Sequence, residues 1–137
     1  MKKIKIIKLK SYFKKSGKLI PITFDNKFPI KIKRFFYIFG KKNQYRGHHA
    51  HKKCYQFFIP ISGKIELLTT TNNVKKKIVL DPNKNKAILV PNLVWCSLKF
   101  LTKNSIVLVV CNRVYEFNDY IESYDDFRKF EKIKWKF

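Results

Sequence analysis

A chain of 137 residues is long enough for one domain with a single core, and a composition 45% hydrophobic and 16% aromatic excludes a disordered polymer. The 31 basic residues against 9 acidic ones give a formal net charge of +22, a balance that on its own suits nucleic acid or an anionic membrane. The lysines are spread through the chain and alternate with isoleucine, as in Lys3-Ile4-Lys5-Ile6 and Ile30-Lys31-Ile32-Lys33. That is the pattern of solvated strand faces, and the expectation is a single domain over residues 1–137 with neither nucleic acid nor a membrane as partner.

Near the N-terminus the longest apolar run is the pair Ile6-Ile7, and nothing approaches the roughly eighteen apolar residues of a transmembrane helix. Cys54, Cys96 and Cys111 show no Cys-x-x-Cys spacing, which argues against a disulfide framework. A soluble, cytoplasmic protein is expected.

In chain order, residues 4–9 and 19–24 read as two short strands around a turn at Ser16-Gly17-Lys18. Residues 30–39 alternate isoleucines and then run into aromatics, the pattern of a strand apolar on both faces and therefore central in its sheet. Tyr37 falls inside it, and Arg34, an odd number of residues away, points to the other face. After a polar turn over 40–45 comes a strand carrying all three histidines. Residues 64–71 and 74–80 form a hairpin around Asn72-Asn73, and Asp81-Pro82-Asn83 is a further turn. Strands over 87–90, 94–100 and 105–114 complete an all-β barrel or jelly roll of antiparallel strands. From Asn118, a candidate N-cap, the residues Tyr120, Ile121, Tyr124 and Phe127 take helical spacing, which predicts a short C-terminal helical segment. Acidic residues gather there: Glu116, Asp119, Glu122, Asp125, Asp126 and Glu131.

The stretch Arg46-Gly47-His48-His49-Ala50-His51 contains the chemistry. Side chains alternate along a strand, so His49 and His51 share one face and His48 points away. Such a pair is a surface or core accident, a pair of metal ligands, or an acid/base pair, and the residues alone leave these open. Arg46 stands three and five residues from the two histidines, so a straight strand turns it outward; a bulge at Gly47 would bring it inward. Gln56 needs a similar irregularity.

The spacing His49-x-His51-x4-Gln56-x6-Gly63 resembles the first motif of the cupin superfamily, small β-barrels in which two histidines and a glutamate bind a metal. Glutamine stands in place of that glutamate. The second cupin motif, Pro-x-Gly-x2-His, falls on Pro91-Asn92-Leu93-Val94-Trp95-Cys96, with leucine for glycine and cysteine for the last histidine. Taken with Lys33-Arg34-Phe35-Phe36-Tyr37-Ile38-Phe39, the Arg46-Gly47-x-His49-Ala50-His51-Lys52-Lys53 block, Pro91-x3-Trp95 and Asp119-Tyr120-Ile121-x2-Tyr124-x2-Phe127, the chain is similar over nearly its whole length to the nucleotide-sugar 3,4-ketoisomerases. The resemblance implies a cupin-type jelly roll and conversion of dTDP-4-keto-6-deoxyglucose to the 3-keto sugar on the way to 3-amino-3,6-dideoxyhexoses, as in the building of surface glycans. It implies His49 and His51 as proton carriers, Tyr37 as a catalytic tyrosine, Arg46 and Gln56 against the substrate, and a homodimer sharing N-terminal strands. With two of the four cupin ligand positions changed, no metal or other cofactor is expected, and a zinc site of His49, His51 and Cys96 is the metal alternative. The family carries an Arg-Gly pair near the first turn, where this chain has Ser16-Gly17, so that arginine's phosphate contact does not carry over. Arg34, facing away from Tyr37, is left outside the site. A non-catalytic sugar- or nucleotide-binding cupin is the main alternative, and a barrel binding single-stranded nucleic acid through Tyr37 and Phe57 a third.

Overall fold

Short alternating segments bounded by turn residues can bury one face only by stacking two sheets, and the chain does so. The computed structural model describes residues 3–135. Its strands are β1 (Lys5–Lys8), β2 (Tyr12–Lys14), β3 (Gly17–Leu19), β4 (Arg34–Gly40), β5 (Tyr45–His51), β6 (Gln56–Ser62), β7 (Ile65–Thr71), β8 (Val74–Leu80), β9 (Lys86–Val90), β10 (Trp95–Phe100), β11 (Ser105–Cys111) and β12 (Tyr120–Ile121), followed by helix α1 (Tyr124–Trp135). One sheet runs β1-β9-β6-β11-β4 and the other β12-β5-β10-β7-β8, with β2 and β3 a separate hairpin. All pairings are antiparallel.

Phe58, Ile88, Val107 and Val109 of the first sheet meet Ile65, Leu67, Leu98 and Phe100 of the second in the main core. The first sheet is buried on its outer face too: Phe57, Ile59, Leu89 and Val110 are covered by Ile22, Phe28, Ile30 and Ile32. That double burial explains the near-continuous apolar run of β6. The outer face of the second sheet is covered by α1, where Phe127 packs with Ala50 and Ile121. Asn72 and Asn73 turn the β7–β8 hairpin with φ of 49° and 62°, the left-handed pair that a two-residue turn requires.

Three expectations need correction. The strand expected over 19–24 is instead β3, ending at Leu19 and paired with β2; Pro21 has no N–H to continue a ladder. The strand expected over 30–39 begins at Arg34 and lies at the edge of its sheet, not its centre. Its apolar appearance on both faces has another cause, because Phe35, Tyr37 and Phe39 are exposed while Phe36 and Ile38 pack inward. The helix expected from Asn118 starts at Tyr124. Residues 117–119 make a 3-10 turn, Tyr120 and Ile121 pair with His51 and Ala50, and the hydroxyl of Ser123 accepts from the Asp126 N–H at the helix start.

Candidate active site

A cavity of about 440 Å³ opens between the sheets, and its wall includes Tyr37, Arg46, His49, Gln56, Ser97 and Tyr120. Arg46 and His49 share it because β5 is not straight. Cys96 pairs with His49 and Ser97 with Gly47, so His48 is an extra residue, held at a φ of 57° beside Gly47 at 97°. Two consecutive left-handed residues make a bulge that re-aims the strand. His48 is thrown to the outside, its ring 5.8 Å from that of Tyr45.

Beyond the bulge the alternation resumes. The rings of His49 and His51 lie 5.0 Å apart, edge to face, and Tyr120 touches both, at 5.0 and 4.5 Å. His49 borders the cavity, whereas His51 lies behind it at 5% exposure. Nδ1 of His51 is 2.9 Å from Oδ2 of Asp119, whose Oδ1 accepts from the N–H of Lys53 at 2.7 Å. A carboxylate only accepts, so Nδ1 carries the hydrogen and Nε2 a lone pair. That Nε2 is buried without a hydrogen-bond partner. Burial pushes both imidazoles below their ordinary pKa, offset in part by Asp119 at His51 and by the Gly47 backbone at His49. Both are neutral at pH 7.

Gln56 reaches the cavity because residues 52–55 form a loop and Gln56 opens β6 in the opposite sheet; parity along one strand does not apply to it. Its amide faces Cys111 Sγ at 4.0 Å. Tyr37 is 57% exposed at the mouth, so it is not a core tyrosine. Arg34 does face away from Tyr37, as expected, but the inward side is its own. Its guanidinium donates to Cys111 Sγ at 3.7 Å, lies 5.4 and 5.6 Å from the ring centres of Phe36 and Tyr115, and is within reach of the Tyr120 hydroxyl. It stands beside Tyr120 and His51 without lining the cavity itself. The three cysteines are free thiols.

Of the cupin metal positions, His51 keeps a free Nε2 lone pair with Asp119 on its other ring nitrogen, whereas Gln56 is a neutral amide facing a sulfur and burial pushes the Cys96 thiol up to about 12. The tighter group His51, Cys54 and Asp119 has donor atoms within 4.8 Å of one another, but the cationic Arg34 acts on both His51 and Cys54 and opposes a second positive charge there.

The chain and its fold have known counterparts. The chain is 31% identical over 127 residues, 92% of its length and 91% of the relative's, to a TDP-4-oxo-6-deoxy-α-D-glucose 3,4-oxoisomerase of Aneurinibacillus thermoaerophilus. Its fold matches that of the sugar 3,4-ketoisomerase QdtA of Thermoanaerobacterium thermosaccharolyticum, solved with TDP, with a TM-score of 0.89 at 30% identity over 96% of each chain. The TDP-quinovose 3,4-ketoisomerase WlaRB of Campylobacter jejuni matches with a TM-score of 0.85 at 29% identity, over 94% of this chain and 99% of the other. Residues 2–132 match the family described as FdtA: WxcM-like, C-terminal, and the chain belongs to that family of cupin-fold sugar isomerases.

Proposed function

We propose that this isomerase moves the ketone of TDP-4-keto-6-deoxyglucose from C4 to C3, with His51 taking the proton from C3 and returning it at C4. The observation that carries this reading is the buried, unpartnered Nε2 of His51, its lone pair fixed by Asp119 on the other ring nitrogen. The carbonyl at C4 acidifies the C3 hydrogen, and a neutral imidazole can accept that proton and give it back at neutral pH. His51 stands behind His49 and Tyr120, whose rings lie 5.0 and 4.5 Å from its own. His49 borders the cavity and assists the transfer, Tyr37 contacts a hexose oxygen at the mouth, and Arg46 and Gln56 hold the substrate, the guanidinium pairing with pyrophosphate oxygens. The chemistry proposed is metal-free, and a chelator that abolishes turnover with zinc restoring it would overturn that part.

The reading includes a homodimer working in the cytoplasm on precursors of 3-amino-3,6-dideoxyhexoses. What supports the dimer is β4, an edge strand that exposes Phe35 and Phe39, and a β2–β3 hairpin exposing Tyr12, Phe13 and Leu19. Among the described residues no helix is long and apolar enough to cross a membrane. The test of function is incubation with TDP-4-keto-6-deoxyglucose and NMR of the product: a TDP-3-keto-6-deoxyhexose is expected, and unchanged substrate refutes the assignment. Light scattering on the purified protein reads the dimer, with a monomer refuting it.

A further inference from the structure

The inner face of the first sheet is built in rows, because β11 pairs with β4 on one side and with β6 on the other. Cys111 stands opposite Arg34 and Gln56, which makes one row polar. One pleat further along, Val109 stands opposite Phe36 and Phe58, and Ile38 follows Phe36 on the same face of β4. The change from polar to apolar falls within the cavity, since Gln56, Phe36, Ile38, Phe58 and Val109 all line it. Phe36 and Ile38 are partly buried, and Phe58 and Val109 close the wall behind them. None of these four side chains carries a hydrogen-bond donor or acceptor. Arg46 and His49 border the same space from β5, in the opposite sheet.

We infer that Phe36, Ile38, Phe58 and Val109 form the seat of the methyl group on C5 of the sugar, and that this wall makes the enzyme selective for 6-deoxyhexoses over their 6-hydroxylated counterparts. The inference rests on the isomerase reading above. In a hexose ring C3 and C5 flank C4. Turning the C3–C4 edge toward the histidines of β5 therefore directs the C5 substituent to the other side of C4, where the first sheet lies. C1 is across the ring from C4 and leads away to the pyrophosphate. O2, O3 and the C4 oxygen all call for hydrogen-bonding partners, and the methyl group is the one substituent that calls for none. Against an apolar wall it leaves water favourably, whereas a hydroxyl on C6 would give up its water there and meet no side-chain partner in return. The added oxygen is small, so the missing partner, more than size, sets the discrimination. An apolar pocket rejects an added hydroxyl by about 100-fold.

TDP-glucose and TDP-6-deoxyglucose differ only in the C6 hydroxyl, and neither has a ketone to isomerise, so titration calorimetry with the two reads binding alone. Wild type is expected to bind TDP-6-deoxyglucose about 10-fold to 100-fold more tightly than TDP-glucose. Ile38→Thr and Val109→Thr each keep a β-branched side chain in its strand and set a hydroxyl into the wall. In the folded variants, checked by circular dichroism, the preference is expected to shrink to about 3-fold or less, because the C6 hydroxyl gains a partner and the methyl group loses apolar contact. Val109 is fully buried; if V109T does not fold, I38T decides. Equal affinity of wild type for the two sugars overturns the inference, and so does a preference that persists undiminished in every folded variant. Turnover of TDP-4-keto-6-deoxyglucose by the same wild-type preparation separates the two levels: no turnover fails the isomerase reading itself, whereas turnover with equal affinity for the two sugars removes the methyl seat alone.

Discussion

Oδ2 of Asp119 lies 2.9 Å from Nδ1 of His51, a contact between buried residues 68 positions apart in the chain. It fixes which imidazole nitrogen holds hydrogen and supplies charge that opposes the effect of burial on His51. Asp119→Asn keeps an acceptor but no charge. The expected result is kcat reduced about 10-fold to 100-fold, part of the 100-fold to 10,000-fold that general acid/base groups contribute, with KM little changed. The acid limb of the pH profile should also move to lower pH, because the raising influence on His51 is gone. A loss of stability with unchanged kcat would show that the pair is structural only.

His49 and His51 are expected to behave alike and His48 differently, because the bulge places His48 outside the cavity. Asparagine at either 49 or 51 should leave the folded protein intact and lower turnover by ~100-fold or more. His48→Ala should stay within about 3-fold of wild type, well short of the factors that proton-transfer groups contribute. Steady-state rates with circular dichroism check this. A loss in H48A equal to that in the other two would refute the facing argument.

Burial holds both imidazoles below their ordinary pKa of about 6.5. The neutral, competent form therefore persists below pH ~6.5, and the acid limb of kcat/KM should lie under that value. The same shift has a stability consequence. The unfolded chain binds protons at these residues near pH ~6.5 and the folded one does not, so their contribution is fully present above about pH 6.5 and is lost as pH falls from there through the folded pKa values. Replacing both histidines should flatten the fall in melting temperature over that window. An equally steep fall in the double variant would place the proton uptake elsewhere.

The histidine pair could be read from local alternation, and Arg46 from the glycine beside it, because both depend on neighbours within a few residues. Asp119 could not. Its acidic neighbours suggested a charged helix, and what selects it is pairing of Tyr120 and Ile121 with β5, a contact between distant segments. Helical spacing from Tyr120 to Phe127 was real, but its first half marks residues facing His51 and Ala50, and Ser123 before two aspartates was the better sign of where α1 begins. Arg34 was left out on its parity with Tyr37, and of the two it is Tyr37 that belongs to the exposed face of β4. A run of aromatics looks central whether one face meets a core or stays exposed, and only the sheet order shows that β4 is an edge. The two-sheet architecture was legible throughout, since alternation and turns are local properties. The covering of the first sheet's outer face by residues 22–32 was not.

Gly47 tests whether the bulge itself sets the site. Its φ of 97° is in the left-handed range that favours glycine, and a Cβ added there would stand 3.0 Å from the Cys96 carbonyl oxygen and 3.2 Å from Ser97 Cα, both backbone atoms of β10. Those atoms belong to a central strand and cannot yield cheaply. Gly47→Ala should cost about 1–3 kcal/mol, the range for a non-glycine residue held in a sparsely populated conformation. The strand relieves that cost by straightening, which returns His48 to the ladder and rotates Arg46 away from the cavity wall. KM for the nucleotide sugar should therefore rise along with the loss of stability. Arg46→Ala should raise KM without the drop in melting temperature, which separates loss of the guanidinium from loss of the bulge. If G47A melts several degrees lower yet binds substrate as wild type does, Arg46 reaches its position without the bulge, and the link between Gly47 and the site is wrong.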